Sequence, residues 1–588
     1  MTIAISMLIS AFNALTLSPA LAALLLRPRQ PARGPLGYFF KGFNYVFGKA
    51  TDGYVGACGM LTRKIVITLI LLGGAVFMTD WFGSKVPSSF LPEEDNGYTF
   101  AAVQLPDASS LQRTDEVMRQ AEDKLLKIPS VKYVSTVVGF SMLSQVQNTY
   151  SGFFFITLDE WAKRKTPELQ YPAIKARIGR ELGTLPGALG FAFSPPAIPG
   201  IGASGGFNFI LEDRAGKDVA FLQQNLDKFM AEAKKRPELD GINTMFRPAV
   251  PQVYVDVDRD KVLKQGVNLA DVYQTLQCFM GGSFVNYFNR FGRQWQVYVQ
   301  AEGDYRTDTE NLGRFHVRNA KGDMVPLAAL TSHRTAYGPE FTMRYNLFRS
   351  AQVNGSAAPG YSSAQAMKAL EEVFAKTMPR EMGYDYIGMS YQEKKAQEGV
   401  PAMAVFGFSL LCVFLILAAL YDSWSLPFSV LLCTPVAAMG GFAGLWVMGH
   451  ENNIYAQIGF VMLIGLSAKN AILIVEFAKM KYEEGMTIME AAMEGAKIRL
   501  RPILMTSFAF ILGCVPLATA TGAGAIGRQV MGVAVIGGML AATLISVFLI
   551  PALFHFISKT SGVKRPEKPE SENAAHPPAA PAAKGAHS

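Results

Sequence analysis

The fold class predicted by this sequence is a membrane α-helical bundle of seven transmembrane helices carrying a large α+β insert. Three observations predict it. Of the 588 residues 50% are hydrophobic and the mean hydropathy is +0.19, above the usual value for a soluble chain of this length. The apolar residues are gathered in uncharged stretches long enough to cross a bilayer. These are Thr2–Leu26, Ile65–Thr79 (extending to Phe82 past Asp80), Gly399–Tyr421, Ser423–Gly449, Asn452–Ala468, Pro502–Gly527 and Gln529–Phe554. Between the second and third stretches, residues 86–398 are polar and long enough for about two to four domains.

Residues 1–26 read as a transmembrane helix. Ala20-Leu-Ala22 resembles a signal cleavage site, but the basic residues follow the apolar run instead of preceding it, so a retained span fits better. Residues 27–63 form a basic linker. Tyr38, Phe39, Phe40, Phe43 and Tyr45 alternate there with Gly and Lys, the pattern of a helix lying in the membrane interface. Residues 64–85 are the second span. In the insert, Phe100–Leu105, Val131–Gly139, Phe153–Leu158 and Phe191–Ser194 read as strands, and Leu111–Ile128 and Ala173–Leu182 as helices. The order β-α-β-β-α-β is a split βαβ, ferredoxin-like unit over residues 86–200. A second such unit occupies 201–249 and 342–395, interrupted by an inserted α+β unit at 250–341. Residues 396–558 hold five more spans. The Pro-, Ala-, Glu- and Lys-rich stretch 559–588 is expected to be disordered.

Charge sets the orientation. Arg27, Arg29, Arg33, Lys41, Lys49, Arg63 and Lys64 fill the first connection, and Lys479, Lys481, Lys497, Arg499 and Arg501 fill the fifth. The connections at 450–453 and 519–529 are nearly free of cations. The positive-inside rule places the insert outside and residues 559–588 in the cytoplasm. This distribution accounts for the net charge of +8 better than nucleic-acid binding does. Five cysteines without a C-x-x-C pair and six scattered histidines encode neither a disulfide framework nor a metal site. No phosphate-binding loop with Gly-Lys-Ser/Thr occurs. Gly200-Ile-Gly-Ala-Ser-Gly205 follows three prolines and precedes a strand, so it reads as a linker. Any transport must draw on an ion gradient or another subunit.

The chemistry concentrates at Lys469. From Ile454 to Met480 the ionisable residues are Lys469, Glu476 and Lys479, and Lys469 alone sits at mid-depth. A cation there costs at least ~2.5 kcal/mol, which marks an ion pathway. Glu476 is roughly 10 Å along the helix, too far to pair. The counterion is expected from another polypeptide or a part of the protein outside this chain. Other features have plain structural readings. Thr506 reads as a back-bonded helix threonine, and Arg499 and Arg501 as interface anchors. Ala534, Gly538 and Ala542 suggest tight helix packing. Phe153–Phe155 and Phe191-x-Phe193 are core strand residues or pocket walls. Gly139–Asn148 is a polar loop, either ordinary or flanking a pocket.

The run Gly465-Leu-Ser-Ala-Lys-Asn-Ala-Ile-Leu-Ile-Val-Glu-Phe-Ala478 closely resembles the resistance-nodulation-division multidrug exporters of the acriflavine resistance protein B type. So do Ala419–Ser429, Arg499–Ser507, Thr521–Gly524, Ser89-Phe-Leu-Pro-Glu-Glu-Asp95, Gly388–Glu393 and Gly281–Asn286. The resemblance implies the last span of a first repeat followed by the whole second repeat. It implies periplasmic porter subdomains at 86–200 and at 201–249 with 342–395, and a docking subdomain at 250–341. By the same resemblance Lys469, Asn470, Arg499 and Thr506 belong to a proton relay whose two aspartates lie on a span absent here. Phe140, Met142, Phe155, Phe191, Phe193 and Arg247 align with drug-pocket positions, and Gly139, Gln145 and Asn148 with a mobile switch loop. Gly-Phe-Ser-Met in place of Gly-Phe-Gly-Phe, Gln145, Ser135 and an inserted Tyr150-Ser151 depart from the family pattern. The implied function is efflux of amphiphilic drugs from the bacterial inner membrane. It would be driven by the proton gradient without a cofactor, by a homotrimer with a periplasmic adaptor, an outer-membrane channel and the missing N-terminal half. A non-transporting remnant, a split-pump half and a lipid exporter of the same superfamily are the alternatives. No enzyme activity and no nucleic-acid partner are implied.

Overall fold

The computed structural model describes residues 2–25 and 35–562. Most of the stretch predicted to be disordered therefore lies outside the described residues, and residues 559 and 560 close the last helix. In chain order the first helices are α1 (Thr2–Leu25), α2 (Pro35–Arg63) and α3 (Ile65–Lys85). The first α/β unit contains β1 (Tyr98–Gln104), α4 (Leu111–Leu125), β2 (Val131–Ser141), β3 (Val146–Leu158), α5 (Tyr171–Leu182) and β4 (Leu189–Phe193). The second begins with β5 (Phe207–Asp213), α6 (Val219–Ala233) and β6 (Leu239–Thr244). The inserted unit follows with β7 (Val250–Val257), α7 (Arg259–Lys264), α8 (Leu269–Leu276), β8 (Ser283–Arg290), β9 (Arg293–Val299), β10 (His316–Arg318), β11 (Met324–Pro326) and β12 (Thr331–Gly338). The second unit resumes with β13 (Met343–Tyr345), β14 (Phe348–Ala357), α9 (Ser363–Thr377) and β15 (Met382–Tyr386). The chain then runs through α10 (Gly388–Glu398), α11 (Ala402–Tyr421), α12 (Leu426–Leu431), α13 (Thr434–Met448), α14 (Ile454–Glu483), α15 (Ile488–Ala518), α16 (Ala525–Ala541) and α17 (Val547–Thr560).

Among the described residues, seven helical segments are long and apolar enough to cross a membrane. Two of them are interrupted. The stretch Ser423–Gly449 is divided into α12 and α13 at Leu432–Cys433, where Pro435 removes an amide from the hydrogen-bond ladder. A π-helical turn, Ala542–Ser546, joins α16 to α17. Backbone closeness fixes the bundle. A Cβ on Gly440 would meet the Gly537 carbonyl oxygen at 2.4 Å, so α13 and α16 touch main chain to main chain. Ala534, Gly538 and Ala542 are buried on the same helical segment. The C-terminal half of α2 does not lie free in the interface. Tyr54 donates to the Val547 carbonyl at 3.0 Å, and Cys58 is buried. Its N-terminal aromatics, Tyr38 to Val46, are exposed, as are almost all the described side chains of α1.

The two α/β units share one topology. The first sheet has the order β2-β3-β1-β4, all antiparallel. In the second, β6 and β5 flank β14 and β15 lies outside β5, giving the equivalent order. The inserted unit enters after β6 and leaves before β13. In each unit the helices cover one sheet face. Met118, Leu125, Ile178 and Leu182 pack on Ala101, Val103, Phe154 and Ile156 in the first. Phe229, Leu226 and Leu370 pack on Phe209, Leu211 and Val353 in the second.

Candidate functional site

Two regions carry the residues singled out from the sequence. The first is the seam between α14 and α15. Asn453 caps α14 by accepting from the amides of Tyr455 and Ala456 at 3.0 and 3.2 Å. Thr487 and Glu490 form a capping box at the start of α15. The two helices form an antiparallel hairpin, and Gly495 lets them approach: a Cβ there would meet the Ala478 amide nitrogen at 3.0 Å. At mid-depth the Asn470 amide donates to Ser507 Oγ at 3.3 Å, with both residues buried.

Lys469 and Thr506 each precede one of these two bonded residues. A step back of one residue turns about 100° on a helix, and on antiparallel helices the two steps turn toward the same flank. Lys469 and Thr506 therefore lie at one depth on one side of the seam, and both are exposed. Glu476 and Arg499 continue that flank roughly 10 Å further on, by the rise of seven residues on each helix. The Arg499 guanidinium stacks on the Phe477 ring at 3.8 Å, and its Nε is buried without an acceptor. Lys469 has no ion pair among the described residues. Thr506 donates to the Ile503 carbonyl at 3.1 Å, the back-bonding expected of a helix threonine. The four predicted relay residues thus divide. Asn470 bonds across the two helices, whereas Lys469 and Thr506 are exposed on one flank and Arg499 is half-buried against Phe477 further along it, with no hydrogen bond or ion pair joining the three among the described residues.

The second region is the sheet face of the first unit opposite its helices. On β3, Phe154 and Ile156 point to the helices, so Phe153 and Phe155 point away. Register brings Phe100 opposite both Phe155 and Phe193, and Ala102 opposite both Phe153 and Phe191. Phe100 is the hub of this face. Its ring centroid lies 5.2 Å from Phe153, 5.2 Å from Phe155 and 5.8 Å from Phe193. Phe100 is not among the residues that the sequence singles out. A sequence shows that strands alternate, but not which residues of two distant strands stand opposite.

Gly139–Asn148 is mostly hairpin and not loop. Phe140 pairs with Gln147 and Ser141 with Val146, leaving only Met142–Gln145 as the turn. Gly139 (φ +83°) sits at a bulge, and Gln145 (φ +58°) adopts the left-handed conformation and donates to the Met142 carbonyl at 2.5 Å. Asn148 Oδ1 is buried without a donor.

A cleft of about 670 Å³ separates the two α/β units. Phe191 and Phe193 line one wall, Asn354–Tyr361 the other, and Glu93 and Glu451 stand toward the membrane helices. Phe140 and Phe155 share the aromatic sheet but lie outside this cleft, as does Met142. Arg247 is also elsewhere. It stands 3.8 Å from Asp107, where the chain enters the inserted unit. Beside it Tyr150 donates to Glu340, where the chain leaves that unit. Burial first, and then the Glu340 carboxylate, push the Tyr150 phenol above its ordinary range.

Glu393 also lines the cleft, and 6% of it is exposed. Burial raises its carboxyl above the ordinary range; a hydrogen bond from Ser363 Oγ at 2.8 Å opposes this, and Glu451 adds to it. A raised folded-state pKa contributes stability that is fully present below the unfolded value and lost as pH rises through the folded one. Thermal unfolding midpoints are expected to fall with rising pH across that range, and less steeply in Glu393→Gln. An unchanged slope in the variant would remove Glu393 as the source.

Comparison with known proteins extends this geometry. The chain is 39% identical over 571 residues to the toluene efflux pump membrane transporter TtgB of Pseudomonas putida, covering 96% of this chain and 54% of that protein. It is 39% identical over 567 residues to the multidrug export protein AcrF of Escherichia coli (strain K12), covering 95% and 54%. With the multidrug resistance protein MdtF of the same strain it shares 39% over 562 residues, covering 94% and 53%. The chain therefore spans about half the length of the curated relatives it matches. The family model described as the AcrB/AcrD/AcrF family matches residues 1–558. On that match the chain is a membrane protein that belongs to the AcrB/AcrD/AcrF family of resistance-nodulation-division transporters.

Proposed function

We propose that this chain supplies the C-terminal portion of a proton-driven exporter of amphiphilic compounds in the bacterial inner membrane. In this reading the two α/β units and the inserted unit are periplasmic. The pump works as a trimer with an adaptor and an outer-membrane channel, and no cofactor beyond the proton gradient takes part. The observation that carries the reading is the flank of α14 and α15. Lys469 stands there midway along α14 without a counterion among the described residues, with Thr506 beside it and the Arg499 Nε unmet. A charge in that position demands an acidic partner. The relatives extend over about twice the length of this chain, and a helix in the remaining part would supply it. Protonation of that partner changes the charge facing Lys469, the helices shift, and the α/β units follow.

The cleft and the aromatic sheet suit substrates held mainly by apolar contact. Glu451 and Asp240 line the cleft in addition to Glu93, whose carboxylate is engaged by Lys175 at 2.5 Å, and Glu94, which is engaged by the amides of Ile526 and Gly527. The surplus of acid favours cationic amphiphiles over anionic ones. Coexpression of this chain with a separately encoded N-terminal half, followed by ethidium accumulation, tests the reading. Export only when both halves are present is expected. Export by neither half nor both would leave a non-transporting remnant.

A further inference from the structure

The segment after α3 stands out in the sequence only through a family resemblance, yet it bonds to both the membrane helices and the first α/β unit. Its first residues hydrogen-bond to the start of α14. The Asn452 amide donates to the Pro87 carbonyl at 2.8 Å, the Ser89 amide to the Asn452 carbonyl at 3.2 Å, and the Ile454 amide to the Phe90 carbonyl at 3.3 Å. The next three acidic residues then engage three different partners. Glu93 pairs with Lys175 of α5 at 2.5 Å and accepts from Ser194 at the end of β4. Glu94 reaches the other way: its carboxylate accepts from the amides of Ile526 and Gly527 at 3.1 and 2.7 Å, capping α16. Asp95 takes a two-pronged ion pair from Arg164 at 2.8 and 3.1 Å, and the Arg164 side chain is 1% exposed. Trp161 completes the joint, because a Cβ on Gly97 would meet its ring at 3.2 Å and one on Gly522 at 3.9 Å.

We propose that Pro87–Asp95 is a strap that carries displacement of α14 and α16 into the first α/β unit, with Glu94 as its positioning residue. The inference rests on the export reading for its purpose, but not for its mechanics. Lys469 and the strapped end of α14 belong to one uninterrupted helix, so a shift at the relay reaches Asn452 and Ile454. Glu94 binds two free amides at a positive helix end, an arrangement that favours its carboxylate and resists rotation of α16 away from the strap. Because Glu93 and Asp95 flank Glu94 and are bonded to the first unit, α16 and that unit move together or the cap breaks. Glu94 touches neither the relay flank nor the aromatic sheet but borders the cleft, so its positioning role is read from the distance distribution and not from transport.

The test uses the full chain in lipid nanodiscs, without any transport measurement. Spin labels at exposed Met462 on α14 and Leu189 on β4 report the distance between membrane bundle and first unit. The wild-type chain is expected to give one narrow distance distribution, and Glu94→Ala one at least twice as wide, with Glu94→Gln between them because it keeps one acceptor oxygen. Hydrogen exchange at Ile526 and Gly527 should quicken about tenfold in Glu94→Ala, as loss of a helix cap implies. Faster exchange with an unchanged distance distribution would reduce Glu94 to a local cap and overturn the strap. Unchanged exchange would overturn the cap itself. If both readouts change as expected and the completed assembly still exports nothing, the export reading fails and the strap stands.

Discussion

Lys469→Ala is expected to abolish dye export by an assembly completed with the acidic half, at least a hundredfold loss in rate, while the chain folds as before. The two halves of that expectation have different physical origins. In the chain alone Lys469 is exposed on the open flank and has no ion pair among the described residues, so its removal breaks no ion pair there. Removal also relieves a mid-depth cation worth at least ~2.5 kcal/mol. The variant should therefore melt at the same temperature as the wild-type chain or higher. In the completed assembly the sign reverses, because an acidic partner buried against the flank would lose its cation. Breaking one member of a buried pair costs about 3–5 kcal/mol. Melting of chain and assembly, measured side by side with ethidium efflux, checks both. Normal efflux by the variant would sink the relay assignment.

Phe100→Ala is the second large expectation, and it concerns stability. Phe100 is 5% exposed and makes edge contacts with three rings across two strand pairings. Truncation of such a residue costs about 3–5 kcal/mol. Phe155→Ala should cost far less, since Phe155 is 43% exposed and its ring already borders solvent. Thermal unfolding of the two variants should rank them in that order. Equal losses would mean that the aromatic face behaves as one rigid core and not as a buried hub with an open rim.

The difference between these residues shows where the sequence is legible. Spans are plain because uncharged runs are long, and the α/β order is plain because the apolar period switches between two and about 3.6. Register is not. Phe155 and Phe191 stand out in aromatic clusters, whereas Phe100 has only Tyr98 beside it on its own strand and gains its place from its cross-strand neighbours. The hairpin at 139–148 was obscured for a different reason. Gln147, Asn148 and Thr149 are polar and Gln145 takes a conformation that glycine or asparagine usually marks, so the strand reads as loop. At the seam of α14 and α15, Lys469 and Asn470 are adjacent in sequence but a quarter turn or more apart on the helix. One faces out and the other holds the seam. Arg247 matches a pocket position by resemblance, and the structure places its guanidinium 3.8 Å from Asp107 of the neighbouring unit, a proximity that sequence alone does not show.

That proximity constrains how the cleft opens. The chain crosses between the second α/β unit and the inserted unit twice, and each crossing lies against the first unit, one with Arg247 at 3.8 Å from Asp107, the other with Glu340 accepting a hydrogen bond from Tyr150. On the export reading, two bodies held together beside a third would swing about the shared edge and not simply separate. The inserted unit would then serve as the pivot block of a pair of jaws, with the widest part of their opening away from it. A compound would meet a wedge-shaped gap whose narrow end is fixed by a phenol and a guanidinium. Its admission would be governed by the angle of the jaws.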